Sequence, residues 1–324
     1  MESKSILYLS RQDVEGVGLS MQEIILALEA MFKEKGEGRY EMPPKPGIHP
    51  REDAFIHAMP AYLPNPGVAG VKWISGYPDN QKRGLPYITG LLVLNDPDTG
   101  IPTAVMDATW ITAKRTGAAT GVAAKYLARK DSSTVGILAC GVQGRSNLEA
   151  LSTLFKLRKV KAYDILPEVA RKFAREMGKV LQLDIEVVNH PREAVENLDI
   201  VVTSGPVLKN PNPAIEPGWM AEGAFASPVD FDSYWQAGAF EEAQKLATDD
   251  VEQMDYYRVQ GYFQATPRPY ADLGEIVSGR KPGRENESER TFSINLGLAL
   301  DDLATGYLVL KKARERGLGS ELPL

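Results

Sequence analysis

The amino-acid sequence predicts an α/β protein, and three observations carry that prediction. From residue 134 onward, apolar strands alternate with helical patterns, the rhythm of a parallel sheet covered by helices on both faces. Ahead of it lies a strand-rich stretch closed by a long helical pattern. A second long helical pattern, Leu296–Glu315, ends near Gly317. The 324 residues exceed the ~100–200 of an ordinary domain, so the chain is two domains or one large α/β unit.

The elements follow in order. Ile6–Leu9 reads as a strand. Ser20 and Glu23 form a capping box ahead of Ile24, Ile25, Leu28, Met31 and Phe32 at helical spacing, so a helix spans roughly 21–34. Pro and Gly punctuate 43–47. Ala54–Met59, Val68–Trp73, Leu91–Leu94 and Thr103–Met106 read as strands, and a helix covers roughly 109–128. The second half gives strands at Thr134–Leu138, Lys159–Asp164, Ile185–Val188, Asp199–Thr203, Ala224–Ser227 and Leu246–Thr248. Helices fall at Asn147–Phe155, Pro167–Met177 and Arg192–Leu198. The charged stretch Arg280–Arg290 reads as an exposed loop.

Composition narrows the function classes. Lys and Arg number 37 and Asp and Glu 43, a net charge of −6 with no basic block, which disfavours nucleic acid as a partner. One cysteine, Cys140, rules out an internal disulfide and a multi-cysteine zinc site. Three histidines (His49, His57, His190) are too few for a histidine-rich metal site. No apolar run approaches the ~20 residues of a membrane span. The charged N-terminus lacks a signal-peptide core, so a soluble, cytoplasmic protein is expected.

The turn after strand 134–138 reads Ala139-Cys140-Gly141-Val142-Gln143-Gly144. It matches the dinucleotide-binding G-x-G-x-x-G fingerprint with Ala139 in place of the first glycine. Gly141 lets the backbone approach a pyrophosphate, Gly144 lets helix and strand pack closely, and the helix N-terminus offers amides to phosphates. Asp164 ends the next strand, near the ~20-residue offset of the residue that takes the ribose hydroxyls. It would repel a 2′-phosphate, and no Arg or Lys follows in Ile165-Leu166-Pro167, so NAD(H) is expected over NADP. The plainer reading is a glycine turn beside a solvated aspartate. Cys140 reads as a small residue beside the cofactor, with no His or Cys adjacent to make it a nucleophile.

Further segments bear on identity: GVKWISGYP at 70–78, GLP at 84–86, VMDAT at 105–109, TAKRTGAA at 112–119 and AAKYLAR at 123–129. With the Gly141–Gly144 turn, they resemble the ornithine cyclodeaminase/mu-crystallin family, which includes ornithine cyclodeaminases, archaeal-type alanine dehydrogenases and ketimine reductases. The resemblance implies a Rossmann NAD-binding domain at 129–299. It also implies a discontinuous α+β domain from 1–128 and 300–324 that binds substrate and forms a homodimer. It makes Lys72 the active-site lysine, Arg115 the arginine that holds the substrate α-carboxylate, and Lys45 a second carboxylate contact. Asp230 matches the catalytic aspartate, although the loop departs from the family pattern and leaves Asp232 as an alternative. Thr116, Ala139, Val142, Gln143, Thr203 and Asn295 join Arg115, Gly141, Gly144 and Asp164 as cofactor-contacting positions. Where cyclodeaminases carry a glutamate and alanine dehydrogenases an arginine, this chain has His57, which weakens a claim to ornithine.

The chemistry these residues suit is hydride transfer at the α-carbon of a small amino or imino acid. A guanidinium matches a planar carboxylate. Lys72 can polarise a carbonyl, bond the carboxylate or act as acid/base. Plainer readings stand beside these: Lys72 as a surface charge with a buried stem, Arg115 in a structural ion pair, Asp230 as a helix cap, His57 as a core histidine. Two other functions remain open: a cyclodeaminase-type lyase that makes proline and ammonia from ornithine with catalytic NAD, and a nucleotide-binding protein without turnover.

Overall fold

The computed structural model describes residues 5–324. β1 (Ser5–Leu9) leads into α1 (Arg11–Gly16) and α2 (Met21–Gly36). Each helix is started by a reciprocal cap, Ser10 with Asp13 and Ser20 with Glu23, which satisfies amides that have no partner inside a helix. Then come β2 (Gly47–Arg51), β3 (Ala54–Leu63), β4 (Val68–Gly76), β5 (Ile88–Asn95), β6 (Pro102–Asp107) and α3 (Thr109–Leu127). β7 (Thr134–Leu138), α4 (Val142–Leu154), β8 (Lys159–Tyr163), α5 (Pro167–Leu181), β9 (Ile185–Val187), β10 (Ile200–Thr203) and β11 (Phe225–Pro228) alternate as the sequence predicts. They are followed by α6 (Ala237–Glu241), β12 (Lys245–Thr248), α7 (Val251–Val259), β13 (Ala271–Asp272), α8 (Leu273–Val277) and β14 (Thr291–Ile294). α9 (Ala299–Arg316) and β15 (Ser320–Pro323) end the chain.

The chain forms two compact units, Met1–Arg115 with Leu298–Leu324, and Thr116–Gly297. The division at 115/116 falls inside α3. An unbroken helix gives the sequence no sign of a boundary there, and a reading from sequence alone sets it at the helix end, 128/129.

The first unit holds a seven-stranded sheet in the order β15-β1-β6-β5-β4-β3-β2. β3 to β6 run as an antiparallel meander. One face of it carries Met59, Lys72, Ile74, Leu92, Leu94, Ala104 and Met106, all buried, and α9 packs across β3, β4 and β5. Gly306 lets the helix ride close: a Cβ there would lie 2.3 Å from Leu92 Cδ2. The other face exposes Trp73 and Leu91.

The second unit is an eight-stranded sheet, β13-β12-β14-β11-β10-β7-β8-β9, and every pairing in it is parallel. Chain order reverses between β7 and β10, the place where doubly wound sheets bind ligands at their carboxyl edge. An aromatic cluster of Phe231, Trp235, Phe240, Tyr257, Phe263 and Phe292 lies in its core.

Three readings from the sequence need correction. The first turn of α4 begins at Val142, because the glycine turn feeds straight into it. Arg192–Leu198 is no helix: a 3-10 turn covers only Pro191–Ala194. The stretch 280–290 is not simply an exposed loop, since Arg284 donates to the carbonyls of Leu127, Glu289 and Ala224, and Glu289 is buried. Among the described residues no helix is long and apolar enough to cross a membrane.

Gly136, in the middle of β7, shows how tightly this sheet is covered. A Cβ there would stand 1.8 Å from the Ala194 carbonyl oxygen, and backbone cannot swing aside as a side chain can. Gly136→Ala is expected to cost roughly 3 kcal/mol of stability. Denaturant unfolding checks this, and an unchanged midpoint would contradict it.

Candidate active site

In the first unit, two cations and two carboxylates meet inside the protein. Lys72 is 1% exposed, on β4 between Met59 and Leu92 of the neighbouring strands. Its Nζ lies 2.6 Å from Asp302 Oδ2. Arg115, 6% exposed on α3, donates through Nε to Asp302 Oδ1 at 3.0 Å and through a terminal nitrogen to Asp301 Oδ2 at 3.5 Å. Asp301 Oδ2 also accepts the Leu298 amide at 3.0 Å, at the start of α9. Buried ions lose several kcal/mol of hydration each, so these four persist by facing one another. Burial lowers the Lys72 ammonium to about 7; Asp302 opposes the shift, and Arg115 and Lys45 add to it. A lysine in that range exchanges a proton near neutrality.

Lys45 and His57 flank this cluster. β3 pairs Met59 with Lys72 and His57 with Ile74, so His57 shares Lys72's face, diagonal to it. The His57 ring stacks on Phe55 at 4.3 Å. Burial first, then the charges of Lys45, His49 and Lys72, depresses its pKa to about 3. The ring is therefore neutral at physiological pH. The sequence suggestions for Lys45, His57, Lys72 and Arg115 thus meet in one place. Lys72 is no surface charge, and Arg115 pairs with residues far along the chain rather than with helix neighbours.

In the second unit, the nucleotide-type residues gather at the carboxyl edge of the parallel sheet. Ala139 holds φ +69°, the left-handed conformation that glycine adopts freely and that costs alanine about 1 kcal/mol. Three side chains hold the turn. Arg145 donates to the Cys140 and Gly141 carbonyls. Ser204 Oγ donates to the Ala139 carbonyl at 2.8 Å. Asp164 Oδ2 accepts the Cys140 amide at 2.8 Å. Gly141 starts α4 without a side-chain cap, and a Cβ there would meet nothing within 4 Å. The amides of Val142 and Gln143 thus begin a helix whose N-terminus no side chain covers. Gly144 is the opposite case: its Cβ would stand 2.6 Å from the Ala139 carbonyl, so helix and strand pack there without room for a side chain. Open space over uncapped amides, beside a strand-end carboxylate, fits a dinucleotide. Cys140 is fully buried, and burial raises its thiol to about 12, so it carries no nucleophile.

Asp230 follows β11 at the same edge and is fully buried. Thr203 Oγ1 donates to its Oδ1 at 2.7 Å and the Gly205 amide to its Oδ2 at 2.9 Å. Trp235 Nε1 donates in turn to Thr203 at 3.1 Å. Burial raises Asp230 to about 7, against those hydrogen bonds. Asp232 is half-buried, accepts from Thr266 at 2.9 Å, and is also raised by burial. Thr203's hydroxyl is thus engaged with Asp230 and Trp235. Asn295 is engaged too: Ser293 donates to its Oδ1 at 2.8 Å, and its amide reaches Thr120 and Ser227 at 3.5 Å. Thr116 is buried at the start of this unit, one residue before Gly117, whose Cβ would lie 2.3 Å from the Ser146 carbonyl of α4.

Sequence reasoning missed Asp301, Asp302 and Arg145. A signal exists for the first two: adjacent acids at the head of an apolar helix, where a carboxylate on the buried face needs a cation. No spacing announces which cation.

The model of the ornithine cyclodeaminase/mu-crystallin family matches residues 5–317. The nodulation efficiency protein NfeD of Rhizobium meliloti is 37% identical over 322 residues, 97% of this chain and 98% of that protein. The structure of Thermococcus litoralis Δ1-pyrroline-2-carboxylate reductase in complex with NADH and L-proline has a TM-score of 0.89 and 38% identity, covering 98% of this chain and 100% of that one. An archaeal alanine dehydrogenase dimer with bound NAD has a TM-score of 0.89 and 34% identity, covering 99% and 100%.

Proposed function

The chain belongs to the ornithine cyclodeaminase/mu-crystallin family, and we propose that, as an NAD(H)-dependent oxidoreductase of that family, it reduces a small cyclic α-imino acid with no charged side chain. The chemistry fits the Δ1-pyrroline-2-carboxylate type, the substrate in the name of a relative 38% identical. One observation carries the choice of substrate: the ring on the substrate-side strand, His57, is neutral and stacked on Phe55 beside two buried cations. Cations suit an organic acid. A neutral ring supplies no counter-charge for the distal ammonium of ornithine, so the cyclodeaminase reading is disfavoured. The presence of Lys72, Arg115 and Asp230 together also disfavours a binding protein without turnover. Reversible oxidation of alanine, the activity named for the archaeal relative, uses the same carboxylate contacts and is the second reading.

The roles divide by unit. Arg115, with Lys45 and Lys72, holds the carboxylate and fixes the plane of the imine; such positioning supplies a large part of a rate. Lys72, lowered to about 7, carries the proton that the imine nitrogen needs. Asp230, raised to about 7, is the second acid–base group and is preferred to Asp232 because its two oxygens are fixed by Thr203 and Gly205. Gly141, Val142, Gln143 and Asp164 hold the dinucleotide, which supplies the hydride when bound. Asp164 disfavours a 2′-phosphate.

The homodimer is part of the same proposal. The sheet face of the first unit that bears Trp73 and Leu91, 49% and 44% exposed, also carries the part-buried Val71, Val93 and Val105. An apolar face of this kind suits a second copy of the chain.

A panel of imino, keto and amino acids, read at the nicotinamide absorbance in both directions, tests the activity. Reduction of the cyclic imine is expected, with no proline or ammonia from ornithine; the reverse pattern sinks the reading. Lys72→Ala should lower kcat/KM about a hundredfold or more while NADH still binds. In the wild type, kcat/KM for reduction should fall as pH rises through about 7, because both Lys72 and Asp230 must then give up their protons. Asp164→Ala should weaken NADH roughly tenfold or more and NADPH far less; equal losses contradict the ribose contact. Trp73→Glu should turn a dimer into a monomer in sedimentation, and an unchanged mass would exclude that face.

A further inference from the structure

Asp302 touches both cations assigned to the substrate, yet lies on neither of their elements. Its two oxygens are divided: Oδ2 meets Lys72 Nζ at 2.6 Å, and Oδ1 accepts from Arg115 Nε at 3.0 Å. We infer that Asp302 is a positioning residue of the acid-binding site, a single carboxylate that sets the spacing of Lys72 and Arg115 for the substrate's carboxylate and imine nitrogen. The inference rests on the reading of those two cations given above.

Three features of the fold support it. Asp302 is fully buried in the first turn of α9, where the positive end of the helix favours a carboxylate. Gly306 follows one helical turn later on the same face and packs against Leu92, the β5 partner of Lys72. A glycine is unfavourable inside a helix, but here it lets the backbone come close enough for a side chain as short as aspartate to reach the lysine. Asp301 is not equivalent, because its carboxylate also takes the Leu298 amide at the start of α9.

Charge gives the same answer. Lys72 and Arg115 face Asp301 and Asp302, and the charge of Lys45 acts on Lys72, so the protonated cluster has one positive charge in excess, the amount that one substrate carboxylate neutralises. Without the Asp302 charge the excess becomes two, and Lys72 loses the group that opposes its deprotonation. Asp302 thus holds the lysine in place and keeps it charged.

The test compares Asp302→Asn with Asp302→Glu in the NADH-loaded protein. Asn keeps the shape and removes the charge. Its NADH affinity should match wild type, KM for the imino acid should rise roughly tenfold or more, and the kcat/KM profile should move acidward by about one pH unit. Glu restores the charge on a longer arm, so the profile should return toward wild type while KM stays high. Wild-type KM and pH profile in a folded Asn variant overturn the inference, as does a lower melting temperature with both parameters unchanged. If the Asn variant does not fold, Asp302→Glu alone decides, and a wild-type KM there is the overturning result. The underlying reading fails separately: Lys72→Ala and Arg115→Ala with wild-type KM and turnover would remove the cations from the site, whatever Asp302 does.

Discussion

A positive charge held inside an apolar sheet is the constraint on which the rest of the first unit depends. Lys72 projects from the middle of β4 onto the face that packs against α9, between Met59 and Leu92. An ammonium there is tolerable only if a carboxylate reaches it, and α9 supplies that carboxylate in Asp302. The chain must therefore bring its last long helix back across a sheet made almost entirely from its first third. The return places Asp301 and Asp302 at the helix start and Gly306 where the approach is closest. A side chain at 306 would press on Leu92, whose Cδ2 stands 2.3 Å from where its Cβ would lie.

The second unit solves a different problem with the same economy of contacts. A phosphate site needs backbone amides without side chains over them, yet loose backbone is a poor binder. The turn after β7 is held by contacts from outside: Arg145 on two carbonyls, Ser204 on a third, and Asp164 on the Cys140 amide. These contacts sustain an alanine in the left-handed region at 139. Asp164 consequently fixes the turn at both oxygens, Oδ2 accepting the Cys140 amide and Oδ1 the Leu166 amide. The buried Thr203–Asp230 pair and the Asn295 network line the same sheet edge without solvent contact.

How much of this the sequence discloses follows from what periodicity can record. Strands β7 and β10 are visible because buried parallel strands are short apolar runs, and the glycine turn because its spacing is rigid chemistry. The Ser20–Glu23 cap is legible for the same reason. By contrast, α1 is too short to show a period, and β13 has two residues and no pattern at all. The division of the units inside α3 leaves no trace, since the helix runs unbroken from Thr109 to Leu127. Lys72, Arg115, Lys45 and His57 were each nameable through the family resemblance. The pairing of Lys72 and Arg115 with Asp302, the nearer of them 187 residues away along the chain, depends on the path of α9, which no local pattern encodes.

The central claim is that an organic acid is met by a buried lysine whose charged form it stabilises. Calorimetric titration of the NADH-loaded protein with pyrrole-2-carboxylate, a planar acid that cannot be reduced, measures this directly when run at pH 8 in buffers of different ionisation enthalpy. Lys72 sits near 7 before binding and gains a counter-ion on binding, so the account predicts uptake of up to about one proton per site. Tight binding with no proton exchanged would contradict it.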